Sequence, residues 1–158
     1  MKKKMDILNI YDEKQNLIGT ATKKEVHKLG YWHQVVSCLF VDLEKNKVYL
    51  QYKKANHDIV NNKNKIDISV GGHVISTETI EQAIIREIKE ESSLNIPFKK
   101  LTFFKERTIN VQVQENYIIK EFSYLYILNT KFDLTKLHSS DDEVLYYIEF
   151  DINRLINF

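Results

Sequence analysis

GGHVISTETIEQAIIREIKEESSL, residues 71–94, decides how this chain is read. Two glycines and a histidine lead into apolar residues at helical spacing. Thr79 followed three residues later by Gln82 matches a capping box, so a helix begins just after Thr79. At about 100° per residue, Ile80, Ala83, Ile84 and Ile88 form one apolar stripe. Glu87 and Glu91 project at nearly the same angles as that stripe, and Glu90 lies at its edge. A solvated acidic face points away from the apolar one; this one overlaps it. Carboxylates crowded in this way and partly buried suffer both desolvation and mutual repulsion. A divalent cation relieves both, and an all-oxygen ligand set suits Mg²⁺ or Mn²⁺. Arg86, one turn before Glu90, can pair with a carboxylate, and Glu78 can reach the same arginine. Taken alone, REIKEE also reads as a solvated helix with i,i+4 ion pairs.

The rest of the chain narrows the setting. Its 158 residues are 43% hydrophobic and 28% charged, the balance of an ordinary soluble globular protein. A formal net charge of +1 gives no reason to expect a nucleic-acid polymer or an acidic membrane as partner. Cys38 is the single cysteine, so no internal disulfide forms, and a reducing, cytoplasmic location fits. The basic start MKKKMD is not followed by the apolar run of a signal peptide. No stretch approaches the roughly 20 apolar residues of a membrane span. With one proline (Pro97), four glycines and no repeat or linker, residues 1–158 read as one domain.

Alternating and turn signals predict the elements. DILNIY (6–11) and LIGTA (17–21) flank the turn DEKQN, and residues 22–29 predict a short helix ended by Gly30. Residues 35–43 and 47–52 predict a second hairpin, and IDISV (66–70) one brief strand. The helix over 80–91 is followed by long strands over 101–113 and 118–128. A strand over 144–150 and the helical DINRLINF close the chain. Many strands around one main helix argue an α+β sandwich.

Residues 72–94 resemble the Nudix box, G-x5-E-x7-R-E-U-x-E-E-x-G-U, with U aliphatic. Gly72, Glu78, Arg86, Glu87, Ile88, Glu90, Glu91 and Leu94 match at their spacing, and Ser93 stands where the motif has its second glycine. The resemblance implies an α/β/α sandwich with a mixed sheet, the box forming a loop–helix–loop. It implies hydrolysis of a nucleoside diphosphate linked to another moiety. Glu87, Glu90 and Glu91 would bind Mg²⁺ (or Mn²⁺), and Gly72, Glu78 and Arg86 would support the loop–helix–loop. A serine in place of the second glycine costs of order 1 kcal/mol if that position needs positive φ.

Over nearly the whole chain, the similarity looks closest to the isopentenyl-diphosphate isomerase-like Nudix group. YDEKQNLIGTATKKEVHKLGYWHQ, IDISVGGHV and DDEVLYYIEFD carry it. Isomerases of that group use a histidine-rich metal site and a cysteine in a Cys-Gly-His triplet. Here the triplet is Gly71–Gly72–His73, while the acidic box is complete. Both departures favour a hydrolase. Cys38, inside the apolar run VVSCLFV, reads as a small core residue.

Further candidates follow from the same resemblance. His27, His33 and His73, with Glu121 as the matching carboxylate, are candidates for a second metal cluster; lining the cleft as hydrogen-bond donors is the alternative. A general base is expected among Glu90, Glu91, Glu121 and Glu143, the last also reading as a loop or cap carboxylate. Tyr31 and Trp32 read either as stacking groups for a base or sugar or as core aromatics. Lys53 and Lys54, at a strand end, are candidates for phosphate contact. The expected function is a divalent-metal-dependent pyrophosphohydrolase acting on a small-molecule diphosphate. The alternatives are isopentenyl-diphosphate delta-isomerase and a catalytically silent nucleotide-binding sensor. A homodimer, the commonest closed assembly, is compatible with the chain.

Overall fold

A computed structural model describes residues 5–140 and 142–157. Asp141 of the DDEV stretch, residues 1–4 and residue 158 lie outside them. The chain opens with a hairpin, β1 (Ile7–Tyr11) and β2 (Leu17–Thr22). Its turn is held by the Asp12 carboxylate, which accepts from the N–H groups of Lys14 and Asn16. Helix α1 (Lys23–Leu29) starts at a capping box formed by Thr22 and Glu25 and ends at Gly30, whose φ of 69° is the left-handed cap that glycine adopts without strain. Leu8, Ile10 and Val26 make a small core between hairpin and helix.

A seven-stranded mixed sheet follows, made of β3 (His33–Asp42), β4 (Lys47–Lys53), β5 (Lys65–Asp67), β6 (Val70–His73), β7 (Thr102–Gln114), β8 (Tyr117–Asn129) and β9 (Val144–Asp151). The pair β3–β8 is parallel, and the other pairs are antiparallel. Helix α2 (Ile80–Ser92) lies between β6 and β7 in sequence, and a short α3 (Ile152–Ile156) closes the described chain. Among the described residues, no helix is long and apolar enough to cross a membrane.

The main core forms between α2 and the sheet. Ala83, Ile84 and Ile88 are fully buried against Val36, Cys38 and Phe40 of β3, with Tyr126 and Leu128 of β8 beside them. Each such aliphatic side chain contributes about 1.5–3 kcal/mol. This is the stripe read from the sequence, and it seats α2 against the sheet.

IDISV is not one strand. The β3–β4 pairing spans Phe40↔Tyr49 to Asp42↔Lys47; beyond it β6 lies beside β3 and β5 beside β4. Ser69 sits at this fork. Its hydroxyl accepts from the Phe40 N–H at 2.8 Å and donates to the Tyr49 carbonyl, satisfying backbone groups that the fork leaves unpaired. A buried serine amid Ile68 and Val70 thus divides the run, and β6 continues through both glycines to His73. The remaining predicted elements appear within a residue or two of their expected limits. Two short 3-10 turns, Phe98–Lys100 and Leu134–Lys136, were not anticipated.

Candidate active site

The capping box read at Thr79 and Gln82 forms reciprocally, and α2 runs from there past β6. Gly72 has no side chain to hold the helix away: a β-carbon there would fall on the Glu87 carboxylate. Glu87 is 8% and Glu91 4% exposed, while the Glu90 side chain is 45% exposed. The wheel geometry therefore holds, with two buried carboxylates and a third at the edge.

The buried pair is held by specific donors. Gln51 of β4 donates its amide to Glu91 Oε2, and the Gly71 N–H lies 3.4 Å from the same oxygen. Arg86 anchors the array. Its Nε donates to Glu78 Oε2 at 2.9 Å and its Nη1 to Glu87 Oε1 at 2.7 Å and Glu90 Oε2 at 3.2 Å. Its Nη2 donates to Glu78 Oε1 and to the His73 carbonyl at 3.0 Å. Glu78 Oε1 also accepts from the Ile75 N–H at 2.8 Å, tying the entering loop to the helix. Ser93 closes α2 with a φ of 66°, so the position does require the left-handed conformation. Its hydroxyl donates to the His138 carbonyl at 2.6 Å. The N–H of Ser140 donates to the Glu90 carbonyl at 2.7 Å, satisfying a helix-end acceptor.

Burial pushes the Glu87 carboxyl up to about 7; the Arg86 guanidinium opposes this and Glu90 adds to it. Burial pushes Glu91 up to about 8, with the Glu87 charge adding to it. Carboxylates held so unfavourably in the metal-free protein fit a divalent cation, which compensates both burial and repulsion.

These groups face a cleft of about 340 Å³, also lined by Lys23, Ser37, Lys53, Arg107, Glu121 and Glu143. Ile109↔Glu121↔His33 and Arg107↔Ser123↔Val35 are in register across β7, β8 and β3, so each row shares one sheet face. A second chamber of about 740 Å³ adjoins it and shares Lys23, Lys53, Asp67, His73, Glu121 and Glu143 as walls.

The three histidines converge beside this junction. One ring nitrogen from each of His27, His33 and His73 lies within 4.8 Å of the others. His27 Nε2 and His73 Nε2 are 3.1 Å apart. His27 Nδ1 faces the Ile118 carbonyl at 3.2 Å and His33 Nδ1 the Tyr31 carbonyl at 3.0 Å, which leaves the Nε2 atoms to the cluster. His33 Nε2 is buried without a hydrogen bond among the described residues; Glu121 Oε1 stands 3.5 Å away. Burial lowers the pKa of His27 and His73, with repulsion from His33 next in size, so both rings are neutral and able to act as ligands. An orphaned imidazole nitrogen beside two neutral ones and a carboxylate fits a transition-metal ion such as Mn²⁺.

Other sequence candidates fall elsewhere. Trp32 does not reach the cleft; it is buried and stacked on Phe122, ring centroids 4.9 Å apart. Its bridge to Tyr11 accounts for that placement, which is the core-aromatic one of the two readings the sequence left open. Tyr31 packs on the small core of Leu8, Ile10 and Val26. Lys54 stays in the wall of the second chamber, where it pairs with Asp142 at 3.1 Å. Cys38 is fully buried, and burial pushes its thiol up to about 12, far from a proton donor's range. Gln51, Lys23 and Arg107 were missed. Gln51 alone had a signal, an amide at an inward position of the strand KVYLQYK.

Comparison with known proteins gives the family and the fold. The chain matches the NUDIX domain family over residues 31–155. It is 32% identical over 153 residues to an uncharacterised Nudix hydrolase of Clostridium acetobutylicum, covering 97% of this chain and 73% of that protein. It is 30% identical over 122 residues to isopentenyl-diphosphate delta-isomerase 2 of Photorhabdus laumondii, covering 77% of this chain and 66% of that protein. The fold resembles a crystal structure from Deinococcus radiodurans with a TM-score of 0.68 at 18% identity, over 96% of this chain and 87% of that one. The chain belongs to the Nudix hydrolase family, whose enzymes act on phosphorus-containing anhydrides.

Proposed function

We propose that the protein is a divalent-metal-dependent pyrophosphohydrolase that cleaves a nucleoside diphosphate linked to another moiety, or a related organic diphosphate. The observation carrying this reading is the burial of Glu87 and Glu91 against Gly72, Gln51 and Gly71, with Glu90 at the cleft edge. Glu87, Glu90 and Glu91 would hold Mg²⁺ or Mn²⁺. When bound, such an ion neutralises diphosphate charge and makes a water more acidic. Arg86 fixes the carboxylates through its fork, and Glu78 couples that fork to the loop before the helix. Lys53 at the cleft wall offers charge to a phosphate oxygen. Glu121 and Glu143, which line both chambers together with Asp67, would compete with Glu90 and Glu91 to take a proton from the attacking water. His27, His33 and His73, with Glu121, would hold a second ion.

The isomerase alternative is disfavoured by two positions. Gly71 stands where that reaction's cysteine is expected, and Cys38 is sealed in the core with its thiol held protonated. The test is Mg²⁺-dependent turnover of a panel of diphosphates by the wild type and by Glu90→Gln and Glu91→Gln. Each variant should lose about 10²-fold or more in kcat with its far-UV spectrum unchanged. Full activity in both variants overturns the assignment. Formation of dimethylallyl diphosphate from isopentenyl diphosphate would support the isomerase instead.

A further inference from the structure

Gln51 shares a face of β4 with Tyr49 and is 1% exposed. A primary amide buried to that extent must find partners or cost free energy. Its NH2 group meets two oxygens that only accept, the Ser69 carbonyl at 2.8 Å and Glu91 Oε2. That pairing fixes which end of the amide points where. The Tyr147 hydroxyl donates to the same Ser69 carbonyl at 2.8 Å and lies 3.2 Å from the Glu91 carbonyl. Ser69 itself is held at the β3–β4 fork by its hydroxyl. Gln51 is thus seated by the sheet before any ion arrives.

Glu91 depends on that seat more than its neighbours do. Arg86 bonds Glu78, Glu87 and Glu90, but among the described residues it makes no bond to Glu91. The donors to Glu91 are the Gln51 amide and, at 3.4 Å, the Gly71 N–H. Both go to Oε2, so Oε1 is the oxygen left for an ion. A glutamate side chain is flexible, and it keeps one oxygen in line only when the other is held.

We propose that Gln51 is a positioning residue for the metal centre: its amide pins Glu91 Oε2 and thereby aims Oε1 at the bound ion. The proposal rests on Glu91 being a metal ligand, as in the pyrophosphohydrolase reading. It gives the sheet a share in metal affinity, because the donor comes from β4 and not from the box.

Calorimetric Mn²⁺ titration tests it, with urea denaturation of the same samples. Gln51→Met keeps the length and removes the donor; its dissociation constant for Mn²⁺ should rise about tenfold or more. Tyr147→Phe removes a hydroxyl from the same buried network but leaves the Gln51 donor. It should lose stability and keep Mn²⁺ affinity within about threefold of wild type. A readout that needs no variant is the Gln51 side-chain amide in wild-type protein. Its NMR signals, assigned through the residue's own backbone, should shift as Mg²⁺ saturates the site. Unchanged Mn²⁺ affinity in Gln51→Met, an equal loss in Tyr147→Phe, or amide signals unmoved by Mg²⁺ overturns the proposal and leaves the metal-dependent reading standing. A wild type that binds no Mn²⁺ overturns both together.

Discussion

Glu87 sits over Gly72, its carboxylate occupying the space a β-carbon at that position would take. The first glycine of the box and its first helical glutamate are thus one structural unit. The absence of a side chain on β6 allows α2 to bring a carboxylate to the sheet. Arg86, bonded to Glu87 and to the His73 carbonyl one residue beyond Gly72, then locks helix to strand.

Gly72→Ala should therefore damage metal binding more than folding. The added methyl forces Glu87 aside, a small-to-large change that costs about 1–3 kcal/mol in a packed site. The Mg²⁺ concentration for half-maximal activity should rise about tenfold or more, since a displaced ligand weakens the whole set. Calorimetric Mn²⁺ titration of the variant checks this; an unchanged affinity would separate Glu87 from the metal set.

Arg86→Lys keeps the charge and loses the fork. A lysine ammonium cannot reproduce the paired contacts to Glu78 together with those to Glu87, Glu90 and the His73 carbonyl. Breaking this half-buried network should cost about 2–4 kcal/mol, read from chemical denaturation of the metal-free protein. Lysine keeps the charge that opposes the upward shift of Glu87 but loses the hydrogen bond that adds to it, so the variant should hold that proton to somewhat higher pH, seen by carboxyl NMR.

Metal-free stability should fall as pH rises. Glu87 and Glu91 have folded-state pKa values of about 7 and about 8, raised by burial from an ordinary value of 4.5. The folded state holds these protons more tightly, so their stabilisation is fully present below pH 4.5 and is lost as pH rises through 7 and 8. The loss should be on the order of a few kcal/mol. Saturating Mg²⁺ should remove most of this decline. Melting temperatures between pH 5 and 9, with EDTA and with Mg²⁺, decide it; parallel curves would contradict the buried-carboxylate account.

The box helix was legible because its acidic residues violate amphipathic spacing, a local property that Glu87 and Glu91 reveal without tertiary knowledge. Its partners were not, since they depend on pairings distant in sequence. Gln51 meets Glu91 from β4, 40 residues away, only because β3 and β4 fork at Ser69. Asp67 and Ser69 are turn-forming types, but alternating with Ile66, Ile68 and Val70 they read as the polar positions of one strand. Trp32 was ambiguous for a related reason: an aromatic at a strand start serves a cleft or a core according to what lies opposite, and Phe122 lies opposite. His33 and His73 were legible because they align with a known metal pattern, from which His27 departs by one residue, whereas the second chamber arises from a polar segment with no motif at all.

Ser93 gives the last expectation. A non-glycine residue at φ 66° costs about 1 kcal/mol, and the hydroxyl bond to the His138 carbonyl returns about as much. Ser93→Gly removes both and should leave stability within about 1 kcal/mol of wild type. Ser93→Ala keeps the strain and loses the bond, so it should be destabilised by about 1 kcal/mol. Urea denaturation of the two variants separates these contributions. If alanine proved as stable as serine, the hydroxyl would not be what lets the box do without its second glycine.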